Sequence, residues 1–175
     1  MIAAVGCADL PADTMELVES ELRAALERCV AGAAVLVRAG AGLPVVIGKA
    51  VREAGRKLVV LLPAQGTVPA VLPERDRAAA RELVLLAEHV RLLPFDPADR
   101  NACVSADERL IEGCRHVVAV WDGSPSSGRD ATAHLVAFAR TRGIPVQIVW
   151  PDGAGTSAAP EPYHGRTGGP FPSRE

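Results

Sequence analysis

The sequence predicts an α/β protein with a doubly wound, mostly parallel sheet of five or six strands and helices on both faces. Short, continuously apolar runs, each too brief for a helix, alternate along the chain with amphipathic helical patterns. Strands that are apolar on both sides are typical of a parallel sheet covered by helices. Of the 175 residues, 49% are hydrophobic but only 3% are aromatic, so aliphatic side chains must fill the core.

Six apolar runs are expected to form the strands, and the fourth run is the weakest: 2–5, 34–37, 58–62, 91–93, 116–121 and 145–150. Five helices are expected between them, over residues 13–31, 44–54, 74–89, 105–114 and 127–142. Capping signals define three of the helix starts. These signals are Asp13 with Glu16, Ser105 with Glu108, and Ser127.

Residues 1–150 contain all of these elements and are predicted to form one domain. This length is sufficient to bury a core without disulfides or metals. From residue 151 the composition changes to Gly, Pro, Ser and Thr without periodicity. Residues 151–175 are therefore expected to be a disordered tail.

Composition and charge argue against several classes of partner. The net charge of −2 does not favour a surface that neutralises nucleic-acid phosphates. The four cysteines are scattered, without metal-ligand or disulfide spacing, and are interpreted as mostly buried thiols in a reducing cytosol. No signal peptide and no run of roughly 18 apolar residues occurs. A cytoplasmic protein with no metal and no membrane partner is expected.

The stretch from Trp121 to Thr132 is the strongest candidate for a ligand site. It links an apolar strand to a helix, and backbone N–H groups at such a helix start bind anions. In a second interpretation, Ser127 caps the helix and Asp130 satisfies the same N–H groups within the protein. The ligand-binding candidates in this stretch are Asp122, Gly123, Ser127, Gly128, Arg129, Asp130 and Thr132.

The loops after the first two strands are expected to meet this stretch, because doubly wound sheets bind ligands at the carboxyl edge of their strands. The candidates there are Gly6, Cys7, Asp9, Arg38, Gly40 and Gly42. Arg38 is either a phosphate partner or a surface arginine. Gly40 and Gly42 would allow close approach of the backbone, but the third glycine of a dinucleotide fingerprint is absent, as is a P-loop.

Three other residue types have an open or structural interpretation. Asp9 and Asp122 are hydrogen-bond acceptors, an acid–base pair, or simply turn residues. Cys7 lies where a nucleophile would, but no histidine is placed to activate it. The remaining histidines of the domain lack metal-ligand spacing and are interpreted as structural or solvent-facing: His89, His116 and His134.

Residues 121–133, followed by the Arg-Thr-Arg-Gly-Ile-Pro-Val run at 140–146, resemble the second conserved block of the SLOG superfamily. These are Rossmann-like nucleotide-binding proteins related to cytokinin-activating phosphoribohydrolases, molybdenum-cofactor carrier proteins and DNA-processing protein A. Residues 5–10 and 35–42 are similar to uncharacterised bacterial members, so the resemblance covers about 1–150. It implies a Rossmann-like fold and a homodimer.

Departures from the superfamily pattern bear on activity. In the phosphoribohydrolases and the related deoxyribosyltransferases, a catalytic glutamate follows the loop threonine by three residues, and counting from Thr132 that position is Leu135. The Gly-Gly pair of those enzymes is Asp130-Ala131 here. The resemblance therefore implies binding more than hydrolysis.

The sequence thus favours a protein that binds a nucleotide, or a phosphorylated ligand derived from one, as a sensor or carrier without turnover. No resident cofactor is predicted. One alternative is an enzyme that cleaves an N-glycosidic bond, with Asp130 or Asp122 in place of the missing glutamate. Another is a protein-interaction domain with a vestigial pocket.

Overall fold

A computed structural model describes residues 1–7, 10–127, 130–152 and 154. In chain order, its elements are β1 (Ile2–Gly6), α1 (Ala12–Arg28), β2 (Val35–Arg38), α2 (Leu43–Glu53), β3 (Leu58–Gln65), β4 (Val68–Pro69), α3 (Glu74–Leu86), β5 (His89–Pro94), α4 (Arg100–Glu112), β6 (His116–Val120), α5 (Thr132–Thr141) and β7 (Val146–Val149). Nearly all of the predicted tail lies outside these residues, so its disorder stays a prediction.

The described strands form one sheet in which β1 is central. The order is β4-β3-β2-β1-β6-β7, and β5 pairs in parallel with β3. From β1 the chain moves outward through β2 and β3 to β5, and then returns through α4 to β6 on the other side of β1. The prediction of a doubly wound, mostly parallel sheet is confirmed.

Strand side chains alternate between two cores, one on each face of the sheet. In β1, Ile2 and Ala4 pack with α1, α2 and α3, whereas Ala3 and Val5 pack with α4 and α5. The same alternation runs through β2, β3 and β6, whose residues are nearly all buried. This explains why the sequence showed continuous apolar runs, since both faces of each strand are covered.

The sheet has one more strand than the five or six expected. The segment after residue 62 was predicted as a loop, but β3 continues to Gln65 and pairs antiparallel with the two-residue strand β4. Gly66 supplies the turn, with a φ of +65° that favours glycine. A two-residue partner carries too little periodicity to be detected in a sequence.

Helix starts differ from the predicted caps. Helix α1 begins at Ala12 with no side-chain cap, so the box of Asp13 and Glu16 does not form. Helix α4 begins five residues before Ser105, because the Asp99 carboxylate accepts from Asn101 N at 2.9 Å and caps the chain there. Helix α5 begins at Thr132 rather than at Ser127.

The end of α3 also differs from the predicted bound of 89. Ala87 adopts an extended conformation and ends the helix at Leu86, which releases His89 into β5. Strand β5 pairs with β3 along its whole length and is mostly exposed. Its weak apolar signal in the sequence reflects this position at the edge of the sheet.

Gly6 and Gly40 offer a matched test of packing at the carboxyl edge. A methyl group on Gly6 would lie 2.8 Å from the Val120 carbonyl oxygen and 2.5 Å from Leu43 Cδ2, whereas on Gly40 its nearest neighbour would be Pro44 Cγ at 3.7 Å. Gly6→Ala is expected to lower the free energy of unfolding by about 1–3 kcal/mol, because backbone atoms must shift. Gly40→Ala is expected to change it by less than about 0.5 kcal/mol. Equal urea midpoints for the two variants would contradict this packing.

Candidate functional site

Three loops meet at the carboxyl edge because β1 lies between β2 and β6. Gly6 ends β1, Arg38 ends β2, and Trp121 follows β6. Parallel strands end on the same side, so these residues share one edge of the sheet. Asp9, Gly128 and Arg129, which were candidates for this site, lie outside the described residues.

The first half of the β6–α5 loop is held by its own side chains. Asp122 Oδ1 accepts from Ser124 N at 2.9 Å and from Ser124 Oγ at 2.5 Å. Trp121 Nε1 donates to Ser124 O at 2.8 Å, and Gly123 turns the chain with a φ of +87°. The carboxylate of Asp122 therefore helps to build the turn, as the structural interpretation of this residue required.

The second half of the loop satisfies three N–H groups around the start of α5, among them that of Asp130, which the sequence offered to a phosphate. Asp130 Oδ1 accepts from Thr132 N at 2.8 Å and from Thr132 Oγ1 at 2.5 Å. Ser127 Oγ accepts from Asp130 N at 3.1 Å, and Ser126 Oγ accepts from His134 N at 3.0 Å. An anion at these N–H groups would have to displace a carboxylate and two hydroxyls of the protein.

A carboxylate on α3 holds the loop that follows β2. Ala41 N donates to Asp76 Oδ1 at 2.9 Å, and Gly42 precedes α2 with a φ of +76°. This left-handed conformation explains the glycine at position 42. Gly40 has no positive φ, and a methyl group there would make only an ordinary contact with Pro44 Cγ at 3.7 Å, so this position does not require glycine.

Arg38 forms an ion pair with Asp107 of α4, which makes it neither a free phosphate partner nor an ordinary surface arginine. Its Nε donates to Asp107 Oδ1 at 2.8 Å, and the two side chains are 30% and 13% exposed. Sequence reasoning missed Asp107 because it lay within the supposed capping box. The available signal was its helical spacing from Cys103, Leu110 and Cys114, which places a carboxylate on the side of α4 that faces the sheet.

Burial is the largest single influence on the pKa of each side chain of this pair. It raises the pKa of Asp107, and the lowering by Arg38 offsets only part of that increase. Burial by itself would lower the pKa of Arg38, but Asp107 more than compensates and raises it. The ion pair therefore forms even though removing the Asp107 carboxylate from water costs free energy.

Leu135 lies beside this pair. A small cavity of about 40 Å³ is lined by apolar residues and by Gly6, Arg38, Asp107 and Leu135. Leu135 is 4% exposed and belongs to the core under α4 and α5. The position at which the resembling enzymes carry a glutamate is thus an aliphatic core position in this chain.

A larger cleft of about 370 Å³ opens between α4 and the loop that leads into α5. Within it, His134 Nε2 lies 2.7 Å from Glu108 Oε1, and Arg100 Nη2 donates to Ser127 O at 2.7 Å. Sequence reasoning missed Arg100 and Glu108 as lining residues and interpreted His134 as structural or solvent-facing. The lining residues are Arg100, Asn101, Val104, Ser105, Glu108, Ser126, Ala131 and His134.

Within the described residues, neither a metal site nor a membrane-spanning helix is found. No group of three His, Cys, Asp or Glu side chains there is arranged to hold a metal ion. None of the four cysteines forms a disulfide bond, and Cys7 is partly buried directly after β1. None of the described helices combines the length and the apolar character needed to cross a bilayer.

Comparison with known proteins identifies the class of fold. No protein-family model and no curated protein matches the sequence. The structure of the Moco carrier protein from Chlamydomonas reinhardtii is similar, with a TM-score of 0.52 and 18% identity over 85% of this chain and 75% of that chain. DNA processing protein A from Streptococcus pneumoniae has a TM-score of 0.57 and 18% identity over 84% of this chain.

This chain spans 49% of the length of DNA processing protein A. At 18% identity, both likenesses concern the fold. The chain therefore has a Rossmann-like α/β fold of the kind found in these two proteins.

The raised pKa of Asp107 predicts how the stability of the protein depends on pH. Because the pKa of Asp107 is raised in the fold, the native state holds its proton up to a higher pH than the unfolded state does. The contribution of Asp107 to the free energy of unfolding therefore falls as the pH rises from the ordinary aspartate pKa to the raised one. Asp107→Asn keeps a hydrogen-bond acceptor for Arg38 and removes the buried charge.

This variant is expected to be at least as stable as the wild type at pH 7 and to lack that pH-dependent loss. Glu82→Gln is the control, since Glu82 pairs with Lys49 at an exposed position and its loss should cost less than about 1 kcal/mol. Urea unfolding between pH 3.5 and pH 7 measures both. A variant of Asp107 that loses more than about 1 kcal/mol at every pH would contradict this account of the pair.

Proposed function

We propose that the protein binds a nucleotide, or a phosphorylated ligand derived from one, at the carboxyl edge of its sheet, and holds it without turnover as a sensor or carrier. The observation that carries this proposal is the cleft of about 370 Å³ between α4 and the β6–α5 loop. Its volume falls at the lower end of the range of about 300–1,000 Å³ that small-molecule sites occupy. It also lies at the edge where doubly wound sheets bind ligands.

The charges of the cleft favour a phosphate near Arg100. Its guanidinium lines the cleft and is held against the loop by the hydrogen bond to Ser127 O. One terminal nitrogen makes that bond, and a guanidinium carries further N–H donors in a fixed plane that suits phosphate oxygens. Two N–H groups at the start of α5, those of Thr132 and His134, already have protein partners, so the guanidinium is the better anchor.

Three observations support binding without turnover. Leu135 is a buried aliphatic residue where the resembling enzymes have their glutamate. The substitute carboxylates Asp122 and Asp130 accept hydrogen bonds from Ser124 and Thr132, which engages them in the loop itself. The Moco carrier protein, which has the same fold, is by its name a carrier.

Two further features of the proposal come from the sequence. The scattered cysteines, which have no disulfide spacing, favour a reducing cytoplasm. The resemblance to SLOG proteins favours a homodimer. In light scattering, a dimer has about twice the chain mass of 18.3 kDa at every concentration tested, and a constant mass of one chain would contradict it.

Binding is tested by calorimetry with the four ribonucleoside 5′-monophosphates. Arg100→Gln removes the cleft cation and is expected to weaken binding by about tenfold or more, since a charge-assisted hydrogen bond to phosphate is lost. Arg81→Gln is the control, because Arg81 is an exposed arginine on α3. It should leave the affinity unchanged. Equal weakening by both variants would contradict a phosphate at Arg100.

Chromatography of the same mixtures measures turnover. The proposal predicts that no free base is released. Release of base by the wild type that disappears in Asp130→Ala would instead establish the N-glycosidic enzyme. Absence of binding to every nucleotide would favour the protein-interaction domain.

A further inference from the structure

We propose that the cleft recognises the ribose of its ligand, with the Glu108 carboxylate accepting hydrogen bonds from the 2′ and 3′ hydroxyls, so that ribonucleotides bind in preference to 2′-deoxyribonucleotides. This inference rests on the proposed function, because it concerns the same cleft. It assigns the sugar-binding part of that site to α4.

Glu108 is oriented by a partner from the opposite wall. His134 Nε2 of α5 lies 2.7 Å from Glu108 Oε1, and the glutamate side chain is 26% exposed where it lines the cleft. A carboxylate offers about four acceptor positions, of which the imidazole occupies one. The remaining positions suit two adjacent hydroxyl donors.

The other lining groups favour a sugar over a nucleobase. Asn101, Ser105 and Ser126 add amide and hydroxyl groups, each able to donate and accept. None of the described residues that line the cleft is Phe, Tyr or Trp, the side chains on which bases stack. The apolar contribution comes from Val104 and Ala131, which are too small to cover a base.

The two charged groups that α4 contributes to the cleft suit the two ends of a ribose 5′-phosphate. Arg100 and Glu108 line the same cleft eight residues apart, about 12 Å along the helix axis. Because this rise exceeds the length of a ribose 5′-phosphate, the two long side chains contact one ligand by extending toward each other. Arg100 is joined to the loop through Ser127, whereas Glu108 lies two turns further along. The 5′-phosphate and the 2′,3′-diol lie on opposite sides of a ribose ring. A ligand with its phosphate at Arg100 therefore presents the diol toward Glu108.

The experiment measures the affinities of the four ribonucleoside 5′-monophosphates and of their 2′-deoxy counterparts by calorimetry. The wild type is expected to prefer the ribonucleotide by about tenfold or more, since a hydrogen bond to a charged acceptor is lost with the 2′ hydroxyl. Glu108→Gln is expected to reduce this preference to below about threefold, chiefly by weakening ribonucleotide binding. His134→Gln, which releases the carboxylate from its partner, should reduce it in the same direction.

Glu112→Gln is the matched control. Glu112 lies one turn further along α4, pairs with Arg142 of α5 at 3.2 Å and does not line the cleft, so its variant should keep the wild-type preference. Equal affinity of the wild type for ribo and deoxyribo ligands would overturn the inference while leaving the proposed function intact. An unchanged preference in Glu108→Gln would also overturn it. Failure of the folded wild type to bind any of the eight nucleotides would instead overturn the proposed function itself.

Discussion

The parallel pairing of β1 with β2 on one side and β6 on the other is the constraint on which the rest of the structure depends. It places the loops after three strands at one edge, although their residues lie up to about 120 positions apart in sequence. The packing is closest at Gly6, because the absence of a side chain there leaves room for Leu43 Cδ2 and for the carbonyl oxygen of Val120. Gly6, which was a candidate for ligand approach, thus has a packing role that is independent of any ligand.

Where these loops meet, many of their polar groups form hydrogen bonds or ion pairs within the protein. Asp122 and Asp130 accept hydrogen bonds from within the β6–α5 loop, and Asp107 holds Arg38. A ligand above the end of β1 would therefore have to compete with these hydrogen bonds. The larger cleft lies at the same edge of the sheet, between α4 and the loop that leads into α5. Most of its lining residues belong to α4, which explains why the proposed ligand contacts come mainly from that helix.

The sequence was sufficient to predict the fold because the central strands β1, β2, β3 and β6 are buried on both faces and so appear as continuous apolar runs. It was insufficient where two local signals competed. Asp99 and Ser105 both have N-cap chemistry, and only the hydrogen bond from Asn101 N identifies Asp99 as the cap. Because α4 begins five residues before Ser105, Ser105 and Glu108 do not cap the helix but line the cleft.

Contacts between distant residues account for the other part of the site that the sequence could not predict. Arg38 and Asp107 are 69 residues apart, and Glu108 and His134 are 26 apart, so no local pattern joins them. The loop after Trp121 was correctly located as a strand-to-helix connection, but its internal hydrogen bonds depend on backbone geometry. The ligand-binding roles of the candidate residues there stay predictions.

The central claim is that the ligand occupies the cleft between α4 and the β6–α5 loop. Backbone amide shifts, measured by NMR during titration with ribonucleoside 5′-monophosphates, test it most directly. The account predicts the largest shifts at Asn101, Ser105, Glu108, Ser126 and His134, with small shifts across α3 and β5. Shifts confined to α3 and β5, or saturable binding that leaves the α4 amides unmoved, would contradict it.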